Sequence, residues 1–169
     1  SLIVVSNPNS PTGTLMDLES LEKVISKANR FNIPILIDEA YYGFCNVTAF
    51  SLLKKYNNLV ISRTFSKAFG LAGLRVGYIA SNYKLAKLFF NLKPMYEINS
   101  MAVLASSLAL NKMKVYKNYI SETKKGLKLL TDYLRKNNFE FIKTHANFIY
   151  VNFGNRVNFI YKKLLKKKI

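Results

Sequence analysis

The sequence predicts an α/β protein: a mostly parallel sheet with flanking helices, followed by part of a smaller α+β domain. Three observations carry this. The runs Leu2-Ile3-Val4-Val5, Pro34-Ile35-Leu36-Ile37 and Leu59-Val60-Ile61 are short, continuous and rich in β-branched residues, the pattern of strands buried in a parallel sheet. Helical or loop segments alternate with them, as in an open α/β sheet with right-handed crossovers. A long helical pattern over 99–136 then leads into two short strand-like stretches, which divides the chain into regions 1–98 and 99–169.

The elements follow in order. After the first strand, Asn7 to Gly13 (NPNSPTG) is dense in Asn, Pro and Gly and predicts a structured loop. Asp17 is placed to cap the next helix, whose apolar face is Leu18, Leu21, Ile25 and Ala28. The second strand ends in Asp38-Glu39-Ala40-Tyr41, and the third leads into a loop carrying Lys67. Arg75 to Ala80 reads as a fourth strand. Asn82 begins a helix with Leu85, Leu88, Phe89 and Leu92 on one face and Pro94 beyond its end. From Asn99 to Lys136 the stripe is Leu104, Leu108, Val115, Tyr119, Leu127, Leu130 and Leu134, with Gly126 as the expected point of interruption. Residues 139–142 and 147–151 read as strands, and Val157 to Leu165 as the start of a last helix.

At 169 residues and 50% hydrophobic composition the chain can bury a real core. The net charge of +17, from 26 Lys+Arg against 9 Asp+Glu, raises the question of an anionic partner. The basic residues are mostly lysines spread over helix-like faces, and only 162–168 forms a run. They read as a solvated surface rather than a nucleic-acid footprint. A single cysteine, Cys45, excludes an internal disulfide and reads as a small hydrophobe. One histidine, His145, excludes a histidine-based metal cluster or triad within the chain and is expected to pack or cap near the last strands. No apolar run approaches the roughly 18 residues of a membrane span. The chain runs from Ser1 straight into a strand and ends within an amphipathic pattern, as a fragment of a longer protein would.

The stretch Thr64 to Gly77 (TFSKAFGLAGLRVG) carries the chemistry. A lysine in an apolar, glycine-rich turn suits an amine that must bond a carbonyl, with desolvation and a neighbouring cation such as Arg75 making it nucleophilic. Thr64, Ser66 and Arg75 offer hydroxyls and a guanidinium for a phosphate. Asp38 closes an apolar run, where a carboxylate needs a cationic partner; a protonated pyridine nitrogen is one and a helix N-cap role is the alternative. Tyr41 could meet a phenolate oxygen. All follow predicted strands, and ligands of open α/β sheets sit at the strands' carboxyl ends. Together these groups describe a pyridoxal phosphate pocket. The glycines do not match G-x-G-x-x-G, so a dinucleotide fingerprint is not supported.

NPNSPTG, DEAY at Asp38 to Tyr41, and TFSKAFGLAGLRVGY at Thr64 to Tyr78 resemble the fold type I pyridoxal-phosphate aminotransferases of class I/II, and most closely the histidinol-phosphate aminotransferases. Ala146-Asn147-Phe148 resembles their small-domain segment, so the likeness covers nearly the whole chain. The resemblance implies the C-terminal half of the large cofactor-binding domain over 1–98, and a connecting helix with an incomplete small domain over 99–169. It implies that Lys67 bonds the cofactor covalently, Asp38 meets the pyridine nitrogen, Tyr41 meets O3′, and Ser66, Arg75 and Thr64 meet the phosphate. The family's asparagine before Pro-Thr-Gly is Ser10 here, which leaves Asn9 and Ser10 as candidates for the O3′ contact. Where histidinol-phosphate enzymes have an arginine for the substrate phosphate, this chain has residues near Asn152; the arginine for the substrate carboxylate would lie past Ile169. The implied activity is transamination between an amino acid or amino-phosphate and a 2-oxo acid, in a cytoplasmic homodimer, with the isolated chain inert. A decarboxylase of the threonine-phosphate type shares the motifs and is the alternative, followed by a basic nucleic-acid-binding module.

Overall fold

The computed structural model describes residues 1–169. Four strands form the main sheet in the order β1 (Ile3–Ser6), β2 (Ile35–Asp38), β3 (Leu59–Thr64) and β4 (Gly77–Ser81). β1, β2 and β3 are parallel, and β4 runs antiparallel to β3. The register aligns Ile3, Ile35 and Leu59 in one row and Val5, Ile37 and Ile61 in another. Those rows face helix α1 (Leu18–Arg30), which contributes Leu21, Ile25 and Ala28 to the same core. The turn 50–54 and Tyr56 close its edge. Six aliphatic side chains here are fully buried, each contributing roughly 1.5–3 kcal/mol before chain entropy is counted. Asp17 caps α1 as expected, accepting from Ser20 N at 2.7 Å. Leu18, expected on the apolar face, is exposed instead.

The continuous apolar strands predict burial on both faces, and the structure covers the second face unevenly: Val60 is buried, while Val4 is 58% exposed. The helices beyond β4 behave similarly. Asn82 caps α2 (Tyr83–Leu92), yet none of its apolar face is buried. The long helical stretch is two helices, α3 (Ser100–Asn111) and α4 (Met113–Lys136), separated at Lys112 with φ −117° and ψ 43°. The break falls where no Gly or Pro announces it, and Gly126 passes within α4 without interruption. Of the predicted stripe only Leu134 is buried, and Ile120, outside that stripe, is the other buried residue of α4. β5 (Glu140–Ile142) and β6 (Tyr150–Asn152) form a separate antiparallel pair, and α5 (Val157–Lys166) ends the chain. No helix is long and apolar enough to cross a membrane.

A second cluster positions the site. Tyr41, Phe44, Ala68, Ile120 and Ala146 pack together, so the segment after β2, the loop after β3, helix α4 and the β5–β6 connection meet at one point.

Candidate active site

The site lies at the carboxyl ends of β1, β2 and β3. The loop after β1 is built by Asn7. Its N–H donates to the Asp38 carbonyl at 2.9 Å, and its buried side chain bonds Met16 twice, through Nδ2 to the carbonyl (3.0 Å) and through Oδ1 from the N–H (2.8 Å). This amide acts as a surrogate strand that closes the loop 7–16. Asn9 turns inward within that loop, donating from Nδ2 to Thr12 Oγ1 at 2.7 Å, whereas Ser10 is exposed. Of the two candidates for one cofactor contact, Asn9 is thus engaged inside its own loop and Ser10 is the freer.

The loop docks on the β5–β6 connection through Gly13. Its carbonyl accepts from His145 N–H at 2.8 Å, and a Cβ at Gly13 would sit 2.2 Å from Thr144 Oγ1. With φ +75° as well, this position requires glycine. His145 packs near the last strands as expected, and burial, helped by Lys143, holds its imidazole below the usual pKa. Cys45 is buried as expected, and burial pushes its thiol up.

Asp38 stands at the last position of β2. It accepts from Ala40 N–H and from Ser62 Oγ, both at 3.0 Å and both on Oδ1, which leaves Oδ2 without a partner in the chain. No helix follows it, so the N-cap alternative is not realised. Tyr41 is buried, with Phe148 edge-on at 5.1 Å and the Lys67 ammonium 5.5 Å from the ring centroid. Thr64 Oγ1 accepts from Ser66 N–H at 3.0 Å and reaches the Val76 carbonyl at 3.4 Å, a local turn that aims the loop after β3. Within that loop Phe65 and Ala68 are buried on either side of Lys67, which is half-buried and forms no ion pair.

Arg75 lies differently from expectation. It has a left-handed backbone (φ 54°), is exposed, and donates from Nη1 to Ala72 in its own turn at 2.9 Å. The structure thus sets Asp38 against Ser62 and Tyr41 against Lys67 at neighbouring strand ends, ties Thr64 to Ser66, and bonds the Arg75 guanidinium within its own turn. Gly77, which follows, pairs so closely with β3 that a Cβ would lie 2.6 Å from the Arg63 carbonyl.

Two polar residues escaped the sequence reading. Glu39 is buried, and its carboxylate meets Arg63 at 2.8 Å. The signal was available: each is a charge set against an apolar run, and a buried charge needs its opposite.

The donor set can be weighed against an aldehyde-bearing pyridine phosphate. The free Oδ2 of Asp38 suits a protonated ring nitrogen, the unpaired Nζ of Lys67 suits a carbonyl, and the hydroxyls of Tyr41 and Ser66 make no hydrogen bond within the chain. The residues present fit such a group.

A fold with three parallel strands feeding such a lysine loop has known counterparts. The family pattern for aminotransferases of class I and II matches residues 1–169, and the chain belongs to that family. More particularly, it is 38% identical over 168 residues to histidinol-phosphate aminotransferase 1 of Carboxydothermus hydrogenoformans, covering 99% of this chain and 47% of that protein. The histidinol-phosphate aminotransferase of Clostridium acetobutylicum superposes with a TM-score of 0.86 at 30% identity, covering 99% of this chain and 52% of that one. The Sinorhizobium meliloti histidinol-phosphate aminotransferase in complex with pyridoxal-5′-phosphate shares the fold, with a TM-score of 0.86 at 24% identity over 98% of this chain and 47% of its own. The chain spans about half the length of the curated relatives it matches.

Proposed function

We propose that this chain supplies the lysine-bearing half of a pyridoxal-phosphate-dependent aminotransferase that moves an amino group between an amino acid or amino-phosphate, of the histidinol-phosphate type, and a 2-oxo acid. The observation that carries the reading is the approach of the unpaired Lys67 ammonium to 5.5 Å from the Tyr41 ring centroid. Family membership and the relatives at 38% and 36% identity support it. When bound, pyridoxal phosphate supplies an electron sink for the carbanion formed at the substrate Cα.

The chain's residues divide the remaining work. Lys67 Nζ would be the amine that holds the cofactor, and its place in the loop suits it to act as the base that removes the substrate Cα proton and as the acid that delivers that proton elsewhere. Asp38 Oδ2 would meet the ring nitrogen and stabilise its protonated form, while Ser62 and Ala40 hold that carboxylate through Oδ1. Tyr41, packed against Phe148 and Lys67, would give its hydroxyl to the ring oxygen, and Asn9 or Ser10 would supply the second contact there. Ser66 and Thr64 would hold the phosphate so that the reacting bonds stay aligned, with Arg75 as the cationic candidate from the same loop. Residues 1–98 belong on this reading to the cofactor-binding domain, and 99–169 to the connecting helices and small domain. By resemblance to the family, the intact enzyme is a cytoplasmic homodimer.

In the intact protein, Lys67→Ala is expected to remove the visible absorbance of lysine-bound pyridoxal phosphate and amino transfer to a 2-oxo acid together. Persistence of that band in the variant would sink the assignment. Release of carbon dioxide in place of amino transfer by the wild type would replace it with a decarboxylase.

A further inference from the structure

The Glu39–Arg63 pair lies on the reverse face of the sheet from the site. Asp38 and Glu39 are consecutive at the end of a strand, so their side chains point to opposite faces, and Ser62 and Arg63 divide in the same way. Asp38 accordingly bonds Ser62 Oγ on the site face. On the other face the Glu39 carboxylate takes Arg63 Nε at 3.0 Å and Nη2 at 2.8 Å, Thr48 Oγ1 at 2.8 Å from both oxygens, and Ala49 N–H at 2.7 Å. Arg63 also lies over the Tyr42 ring at 3.6 Å.

The pair sits where the two strands separate. The last backbone bond between them is Glu39 N–H to the Ser62 carbonyl at 2.9 Å. Past it β3 pairs only with β4, through Arg63 opposite Tyr78 and Thr64 opposite Gly77. One arm then carries Tyr41 and the other carries Ser66 and Lys67. A buried ion pair adds little net stability compared with an apolar pair of similar volume, so stability alone does not account for it. What it does provide is a two-point cross-link between the arms at their root.

We propose that Glu39 and Arg63 are positioning residues: a clamp behind the sheet that sets the spacing between the Asp38–Tyr41 arm and the Thr64–Lys67 arm. The inference rests on those arms forming the site proposed above. The clamp touches no substrate; it acts through the backbone of the adjacent residues, and a displacement of about 1 Å at the reacting groups lowers turnover by up to roughly 100-fold.

The test is the double variant Glu39→Gln/Arg63→Met in the intact protein. It buries no charge, keeps an acceptor for Ala49 N–H, and removes the cross-link. Without added cofactor, amide exchange over 40–42 and 64–68 is expected to quicken at least about 10-fold, with 18–30 unchanged. With pyridoxal phosphate, kcat for amino transfer is expected to fall by about 10-fold or more while KM stays within about 2-fold. A folded double variant with wild-type exchange at both arms overturns the clamp, and so does wild-type kcat. If the wild type takes up no pyridoxal phosphate, the reading of the site fails by itself, and the exchange comparison still decides the clamp.

Discussion

An ammonium facing an aromatic ring gains little in open water and more once both are shielded. Lys67 meets that condition because the residues flanking it, Phe65 and Ala68, are buried and hold its loop against the core. Asp38, Tyr41 and Ser66 are legible as candidates from chemistry, since each is a polar group at a strand's end where burial demands a reason. Arg75 follows by the same logic, and its left-handed backbone is accompanied by a bond from the guanidinium to Ala72, which the sequence does not announce. Gly13 shows the opposite case. As a letter it is one more turn glycine; in the structure it admits Thr144 where a side chain cannot fit. Gly13→Ala is expected to destabilise the protein by about 1–3 kcal/mol, from positive φ and the clash together, and to lower the urea midpoint measurably.

At the scale of elements, caps and apolar spacing decide most of the outcome. α1 follows from Asp17 and the spacing of Leu21, Ile25 and Ala28. Asp17→Ala is expected to remove about 1 kcal/mol of stability by freeing the Ser20 N–H, read as a lower thermal midpoint with an unchanged circular-dichroism spectrum at 25 °C. α2 and α3 also begin at asparagine caps legible in the sequence, Asn82 and Asn99. The break at Lys112 is not legible in the sequence, since neither glycine nor proline marks it. β5 falls within its expected stretch, whereas β6 begins only at Tyr150, after a connection in which Ala146 joins the Tyr41 cluster and His145 bonds Gly13.

For the whole molecule the notable feature is apolar surface. α3 is apolar around its circumference, a pattern of buried helices, yet only Ala102 and Ser106 are buried. α2 is likewise uncovered, with Leu88 58% and Phe90 69% exposed. The isolated 169-residue chain is expected to bind an anilinonaphthalene dye strongly, and Leu88→Lys/Leu104→Lys to reduce that fluorescence about two-fold or more; equal fluorescence would place the sticky surface elsewhere.

The four strands of the main sheet, the α1 cap, the lysine loop and the family likeness are all legible in the order of residues, because apolar period, turn residues and a few reactive side chains act over short stretches of chain. Which of those side chains meet follows from packing alone. It brought Tyr41 to Lys67 across 26 residues, sent Arg75 back to its own turn, and paired Glu39 with Arg63 behind the site. Those outcomes depend on strand register and on what burial leaves unpaired, and both are properties of segments distant in sequence packed against one another.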